Sequence, residues 1–250
     1  RHVRRHSEAR ITAGSPMTRR TRTSRPDRSS YCVAMRPFNA SPAILALVLA
    51  TFAILAGPAR GVAEEEAVVL ALGDSLTAGY GLAPERSFPA QLEEALGAEG
   101  IAARVINGGV SGDTSAGGLA RLDWLLAEKP DLVIVELGAN DGLRGLDPAV
   151  TRANLDRIIE RIKSSGSHVL LTGMKAPPNL GRGYGRAFES LFGELADEHG
   201  TTFYPFFLEG VAADPALNQS DGIHPTGEGV AIIVERMLPL VIAALAEASR

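Results

Sequence analysis

The sequence contains very little cysteine and, after its first quarter, little positive charge. Its single cysteine, Cys32, lies near the amino terminus, so the remainder of the chain offers no thiol for a disulfide or a cysteine-ligated metal site. Residues 64–250 carry 14 Lys and Arg against 27 Asp and Glu, which gives a net charge of −13. Nucleic acids are bound by basic surfaces that neutralise phosphates. The charge balance therefore argues against a nucleic-acid partner.

The amino-terminal region has the opposite charge. Residues 1–36 hold ten arginines and only two acidic residues. We interpret residues 1–34 as translated upstream sequence or a misplaced start. Met35 is a better start because the uncharged apolar run 43–56 follows it, as in a signal peptide.

A small-x-small pattern, Gly61-Val62-Ala63, follows this apolar run and is typical of a signal-peptide cleavage site. A membrane anchor is the alternative, but the run is shorter than the ~18 to 20 apolar residues that a spanning helix needs. We therefore expect residues 35–63 to be a cleaved signal peptide, with no stable membrane anchor afterwards. The expected location of the product is periplasmic or secreted.

Short apolar runs alternate with helical patterns through residues 64–250, without a repeat or a long linker. The runs predict strands at 67–72, 103–106, 132–137, 168–172 and 202–206. The helical patterns begin at Ser87, span 115–127, follow Asp147 and Pro148, include 188–195, and span 230–245 with a kink at Pro239. Parallel strands need crossover connections, so five strands each followed by a helix predict one α/β/α domain with a parallel sheet.

A serine stands just after the first predicted strand, in Gly73-Asp74-Ser75-Leu76. Ligands of open α/β sheets bind at the carboxyl ends of the strands, so Ser75 would be displayed to a substrate. A serine hydroxyl is a poor nucleophile unless a base accepts its proton. Ser75 is therefore a candidate nucleophile if a histidine is near. The alternative is a turn or cap residue that begins a helix.

The base and its carboxylate partner are predicted in Asp221-Gly222-Ile223-His224-Pro225. One short turn could bring Asp221 to Nδ1 of His224 and leave Nε2 for the serine. The alternatives are an Asx turn and a loop histidine that caps the last helix.

Two other histidines are weaker candidates. His168 opens a strand at the opposite edge of the predicted sheet, and His199 ends an amphipathic helix, where a cation is favourable. Neither has a partner at metal-ligand spacing, so we expect no metal and no other cofactor.

Attack on a carbonyl creates an oxyanion, which needs hydrogen-bond donors aimed at it. The glycine-rich segment 109–114, with Gly112 at its centre, can supply a backbone N–H, and Asn140 can supply a side-chain amide. The alternatives are that the glycines only allow the chain to turn and that Asn140 only caps the turn before Gly142.

Together these segments resemble the SGNH hydrolase family, also called the GDSL esterases and lipases. Four blocks occur in the family's order: Gly73-Asp74-Ser75-Leu76, Gly112 in Val-Ser-Gly-Asp-Thr-Ser, Asn140 in Gly-Ala-Asn-Asp, and Asp221-x-x-His224-Pro225. The resemblance covers residues 67–245 and is strongest to the periplasmic bacterial group of thioesterase I, lysophospholipase L1 and arylesterases.

The resemblance implies a flavodoxin-like sheet, a broad ester and thioester range, and an exported location. It implies that Ser75 is the nucleophile and that Asp221 and His224 complete a triad. It also implies an oxyanion hole formed by the main-chain amides of Ser75 and Gly112 and the side chain of Asn140. Residues 174–185 are expected to line the acyl site.

The expected function is hydrolysis of carboxylic esters and acyl thioesters through an acyl-enzyme, with a small-molecule acyl substrate. Apolar residues near the predicted edge favour acyl chains, and the alternative is that they serve only in packing; they are Leu76, Leu82, Leu143, Leu146 and Pro177. One alternative is a carbohydrate O-deacetylase on the same fold. The other is a non-catalytic flavodoxin-like module for a nucleotide or flavin, but the first loop places Asp74 where a phosphate would lie, and no lysine follows.

Overall fold

The computed structural model describes residues 66–248, which contain all five predicted strands. The upstream segment and signal peptide expected in residues 1–63 lie outside the described residues. The strands are β1 (Ala67–Gly73), β2 (Ala103–Gly109), β3 (Leu132–Glu136), β4 (His168–Thr172) and β5 (Thr202–Tyr204). The helices are α1 (Ser75–Ala78), α2 (Phe88–Ala98), α3 (Ser115–Leu126), α4 (Ala139–Leu143), α5 (Pro148–Ser164), α6 (Gly181–His199) and α7 (Gly227–Ala248). Two 3₁₀ turns, Pro84–Arg86 and Pro178–Leu180, complete the elements.

The five strands form one parallel sheet in the order β2-β1-β3-β4-β5. On one side α2 packs against α7, and on the other α3 packs against α5 and α5 against α6. The α/β/α prediction is therefore confirmed. In the register, Gly73 lies opposite Gly109 on one neighbour and Glu136 on the other, so the ends of β1, β2 and β3 form one edge.

The hydrophobic core lies on both faces of the central strands, where the helices cover the sheet. Every residue of β3 is buried, as are the last five of β1, which explains why these strands are continuous apolar runs. Helix α7 is the one described helix long and apolar enough to cross a membrane. Its apolar stripe, which includes Val230, Ile233 and Met237, is buried within the domain, as in a core helix. The helix continues past Pro239, where the sequence predicts a kink.

Two strands end two or three residues from their predicted ends, whereas β1 and β3 end within one residue of theirs. β2 continues to Gly109, where a Cβ atom would collide with the backbone of Ala78 in α1, so the close approach requires glycine. β5 ends at Tyr204 rather than at residue 206, because Pro205 has no N–H to continue the ladder. The short helices α1 and α4 were not predicted, since four or five residues are too few to show a helical period.

Candidate active site

Ser75 is the first residue of α1, directly beyond the end of β1. The preceding Asp74 is the N-cap, and its Oδ1 accepts the backbone N–H of Leu76 at 3.0 Å. Gly73 must lack a side chain, because a Cβ there would collide with the hydroxyl of Thr77 and the carboxyl of Glu136. The conformation of the turn that displays Ser75 therefore depends on the two residues before it, Gly73 and Asp74.

The loop between β5 and α7 brings Asp221 and His224 to this serine. His224 Nε2 lies 2.9 Å from Ser75 Oγ, and His224 Nδ1 lies 2.7 Å from Asp221 Oδ2. Asp221 Oδ1 accepts the backbone N–H groups of Ile223 and His224 at 3.0 and 3.1 Å, which fixes the carboxylate beside the ring. The three side chains form one continuous hydrogen-bonded chain.

The Asp221 carboxylate is strongly stabilised as an anion. The side-chain hydrogen bond from His224 lowers its pKa to about 2, and the backbone N–H groups of Ile223 and His224 act in the same direction. Asp221 therefore stays ionised across the neutral and mildly acidic range, and it can orient an imidazole and stabilise an imidazolium.

Tyr80 packs on the imidazole, a contact absent from the sequence interpretation. Its ring centroid lies 4.6 Å from that of His224, with the planes inclined by 37°. Gln219 Nε2 donates to the carbonyl of Tyr80 at 2.7 Å, and Gln219 N donates to the carbonyl of His224 at 2.7 Å. Gln219 thus joins the serine-bearing segment to the histidine loop.

The two predicted oxyanion-hole residues beyond Ser75 face the same cavity. Gly112 has a positive φ of 85°, and its carbonyl accepts Arg144 Nη2 at 2.8 Å. Asn140 lies in the first turn of α4, and its Nδ2 donates to Asp74 Oδ2 at 2.9 Å. The structure therefore brings together Ser75, Gly112 and Asn140 as the sequence predicts.

A buried carboxylate beside Asn140 joins three helices. Asp141 accepts the backbone N–H and the hydroxyl of Ser115 at 2.8 and 2.5 Å, and the hydroxyl of Thr151 at 3.1 Å. These bonds fix α4 against the starts of α3 and α5, and with α4 they fix Asn140. Only its place next to Asn140 in the motif could have signalled this role.

Arg121 of α3 binds the ends of two strands and the loop that follows β2. Its guanidinium donates to Asp113 Oδ2 at 2.6 Å, to the carbonyl of Gly108 at 2.6 Å and to that of Gly73 at 2.8 Å. The ends of β1 and β2 and the loop that carries Gly112 are thereby held by one side chain. Nothing in the helical pattern around Arg121 indicates this function.

Ser75 and His224 line a largely apolar cavity of about 580 Å³. Among the apolar residues predicted near the edge, Leu76, Leu143 and Pro177 line it. Leu82 and Leu146 do not: Leu82 packs against the core, and Leu146 uses its backbone carbonyl to accept the hydroxyl of Tyr184.

Only part of the predicted acyl-site segment reaches the cavity. Residues 174–178 line it, whereas 181–185 form the first turns of α6. The two prolines and three glycines of residues 174–185 do not predict a helix. The ring of Tyr184 stacks on that of Phe188 one turn later, a contact that stabilises the first turns of α6.

The other two histidines lie outside this cavity. His168 stands at the amino end of β4, and His199 Nε2 contacts Asp156 Oδ1 at 2.7 Å, which ties the end of α6 to α5. Within residues 66–248, no group of three or more His, Cys, Asp or Glu side chains is placed to hold a metal ion.

Comparison with known proteins bears directly on this site. Residues 71–232 match the GDSL-like Lipase/Acylhydrolase family. The chain belongs to this family. The predicted resemblance is confirmed, and the protein is an ester-hydrolysing enzyme, which removes the non-catalytic module as an alternative.

Relatives of this GDSL-family hydrolase are enzymes of the expected type. It is 45% identical to esterase TesA of Pseudomonas aeruginosa over 172 residues, which are 68% of this chain and 86% of the relative. It is 40% identical to thioesterase 1/protease 1/lysophospholipase L1 of Escherichia coli K12 over 194 residues, 77% of this chain and 88% of the relative. The crystal structure of AlinE4, an SGNH-hydrolase family esterase, shares 50% identity and a TM-score of 0.62, covering 72% of this chain and 97% of that one. The predicted ester and thioester hydrolysis is thereby confirmed.

Proposed function

We propose that Ser75, His224 and Asp221 perform this hydrolysis through an acyl-enzyme intermediate. The observation that carries the proposal is the unbroken chain from Ser75 Oγ to His224 Nε2 and from His224 Nδ1 to Asp221, at the mouth of an apolar cavity. Nε2 of the imidazole faces the serine hydroxyl whose proton it must accept, and Nδ1 faces the carboxylate that orients the ring.

The reaction has two halves. Ser75 Oγ attacks the carbonyl carbon while its proton passes to His224 Nε2, and the bond to the alcohol or thiol then breaks as that group takes the proton back. Water then attacks the acyl-serine and gives up a proton to Nε2. The bond between the acyl carbon and Ser75 Oγ breaks as Oγ takes that proton back, and the carboxylic acid leaves. Asp221 holds the ring through Nδ1 and offsets the positive charge that it gains in each half.

The oxyanion of each tetrahedral intermediate needs donors that are fixed before the reaction. We assign this role to the backbone N–H groups of Ser75 and Gly112 and to Nδ2 of Asn140. Asn140 already donates one amide hydrogen to Asp74, so its second hydrogen remains for the oxyanion.

Replacement of Asn140 by alanine tests this assignment. We expect kcat to fall by about 10²- to 10³-fold, since one oxyanion donor is lost, while KM changes little. Steady-state kinetics and a melting curve measure the two effects. An unchanged kcat in a protein that melts earlier would show that Asn140 serves only its turn.

The substrate carries an apolar acyl chain under this proposal. Met174, Ala176, Pro177 and Leu208 line the cavity, and an acetyl group would leave most of its 580 Å³ unfilled. This favours acyl esters and thioesters over acetylated carbohydrates.

A series of aryl esters and acyl thioesters of increasing chain length tests this preference, with an acetylated sugar beside it. We expect kcat/KM to rise from the acetyl compounds to medium chains, because each buried methylene contributes up to about 0.8 kcal/mol. Faster turnover of the acetylated sugar than of every other substrate would favour the deacetylase.

Activity should fall as the pH is lowered from 7.5 to 5. His224 accepts the Ser75 proton only while its imidazole is neutral. Burial raises the pKa of Asp74 to about 6, so below this pH the carboxylate that holds Asn140 is also lost. Asp221 does not contribute, because its pKa is about 2.

The profile of kcat/KM against pH measures this limb, with the variants His168→Ala and His199→Ala as controls that keep it. A profile that stays flat to pH 5, or that loses its limb in either control, would contradict the role of His224.

We also propose that the enzyme is exported to the periplasm or secreted. The apolar run 43–56 and the small residues at 61–63 support this location. The intact mass of the protein recovered from the periplasm or medium tests it, since a mass that includes the apolar run would favour the membrane anchor.

A further inference from the structure

The last residue of β3, Glu136, is a buried carboxyl group directly behind the serine turn. Its side chain is enclosed, with the residue 1% exposed. Glu136 Oε2 accepts the hydroxyl of Thr77 at 2.8 Å and the backbone N–H of Asp74 at 3.3 Å. The carboxyl group thus contacts the turn on both sides of Ser75, and it has no place in the reaction steps above.

The second oxygen of this carboxyl group is unusual. Glu136 Oε1 is buried and has no hydrogen-bond partner among the described residues. An ionised oxygen in that position would be very costly, whereas a neutral carboxyl group is tolerated more easily. Burial raises the pKa of Glu136 well above its usual range, and the neighbouring charge of Asp74 raises it further. Of the two buried acids, Asp74 therefore carries the negative charge.

The charge on Asp74 determines how Asn140 is oriented. A carboxylate can only accept hydrogen bonds, so Nδ2 of Asn140, and not its oxygen, must face Asp74 Oδ2. A flipped amide would place oxygen against oxygen and turn an acceptor toward the developing oxyanion. The Asp74 carboxylate must therefore be correctly placed if Asn140 is to present its Nδ2 hydrogen to the oxyanion.

We propose that Glu136 is a positioning residue for the hydrolysis: by holding the Asp74 backbone N–H and the Thr77 hydroxyl, it keeps the Asp74 carboxylate where it orients the Asn140 amide toward the oxyanion. This inference rests on the proposed function, because it needs Asn140 as an oxyanion donor. It also explains why position 73 is glycine, since the bond between Thr77 and Glu136 occupies the space of a Cβ atom.

Two substitutions at Glu136 separate its hydrogen bonds from its acidity. Leucine has a similar size but accepts no hydrogen bond, so Glu136→Leu should lower kcat by about 10- to 100-fold with KM within about twofold. Glutamine can place its oxygen at the position of Oε2, so Glu136→Gln should recover kcat to within about threefold of the parent. Glu93→Leu is the control, because Glu93 also accepts a backbone N–H, that of Val105 in β2, but away from the site.

A second pair of variants keeps the test decisive if Glu136→Leu does not fold. Thr77→Val removes one donor to Glu136 without changing the shape of the side chain, and Thr77→Ser restores the hydroxyl. We expect about a tenfold loss of kcat for valine and recovery with serine. Equal kcat in the valine and serine variants would overturn the proposal.

A double-mutant cycle shows whether Glu136 acts through Asn140. In the Asn140→Ala background, Glu136→Leu should lower kcat by less than about threefold, because the amide that it orients is gone. A full additional loss in that background, or a Glu136→Gln variant as slow as Glu136→Leu, would overturn the inference. Ser75→Ala is assayed in parallel: activity retained there would overturn the proposed triad instead, so the two failures are distinguishable.

Discussion

Replacing Ser75 with alanine is expected to lower kcat by about 10⁴- to 10⁶-fold while the fold is retained. The hydroxyl is the only atom group removed, and the acyl-enzyme then cannot form. Ser75 Oγ makes its hydrogen bond to His224 at the surface of the cavity, so the loss of stability should be small. Hydrolysis of an aryl ester, together with a thermal melt, measures both quantities.

Ser190→Ala is the control for this experiment. Ser190 is an exposed serine of α6, and its replacement should leave kcat unchanged. An active Ser75→Ala variant, with kcat within tenfold of the parent, would mean that Ser75 only begins helix α1.

Replacing Asp221 with asparagine is expected to lower kcat by about 10⁴-fold. The amide keeps the shape of the carboxylate but presents a donor or a weaker acceptor to Nδ1, so the imidazole loses its tautomer and its countercharge. Asn can still accept the backbone N–H groups of Ile223 and His224, so the loop should stay in place. Steady-state kinetics at pH 8 is the measurement.

The matched control is Asp156→Asn. Asp156 contacts His199 at the same 2.7 Å, but this pair joins α5 to α6 outside the cavity. We expect this variant to retain kcat and to lose only some thermal stability. If Asp156→Asn were as slow as Asp221→Asn, the assignment of the carboxylate would be wrong.

The sheet was predictable because its central strands are buried on both faces. Leu132 to Val135 form an unbroken apolar run, as a strand covered by helices on both sides must. The strand order was not predictable, because it depends on which helix covers which face, and no local pattern encodes that. The end of β2 depends on the contact of Gly109 with Ala78, which is distant in the sequence, whereas the end of β5 could have been predicted from Pro205 itself.

The placement of the proposed triad and oxyanion residues around one cavity was predictable because each lies in a short segment with its own turn residues. Asp221 and His224 are three positions apart, so a local turn alone joins them. The supporting residues were not predictable in this way. Arg121 reaches the end of β1 from 48 positions away, and Glu136 reaches Thr77 across 59 positions.

The central claim is that Ser75 is the nucleophile of a triad with His224 and Asp221. Reaction with a serine-directed organophosphonate, followed by mass spectrometry of the peptides, tests it most directly. We predict one label per molecule, on Ser75, with none in Ser75→Ala and much slower labelling in His224→Ala. A label on any other serine, or labelling of the Ser75→Ala variant at the parent rate, would contradict the claim.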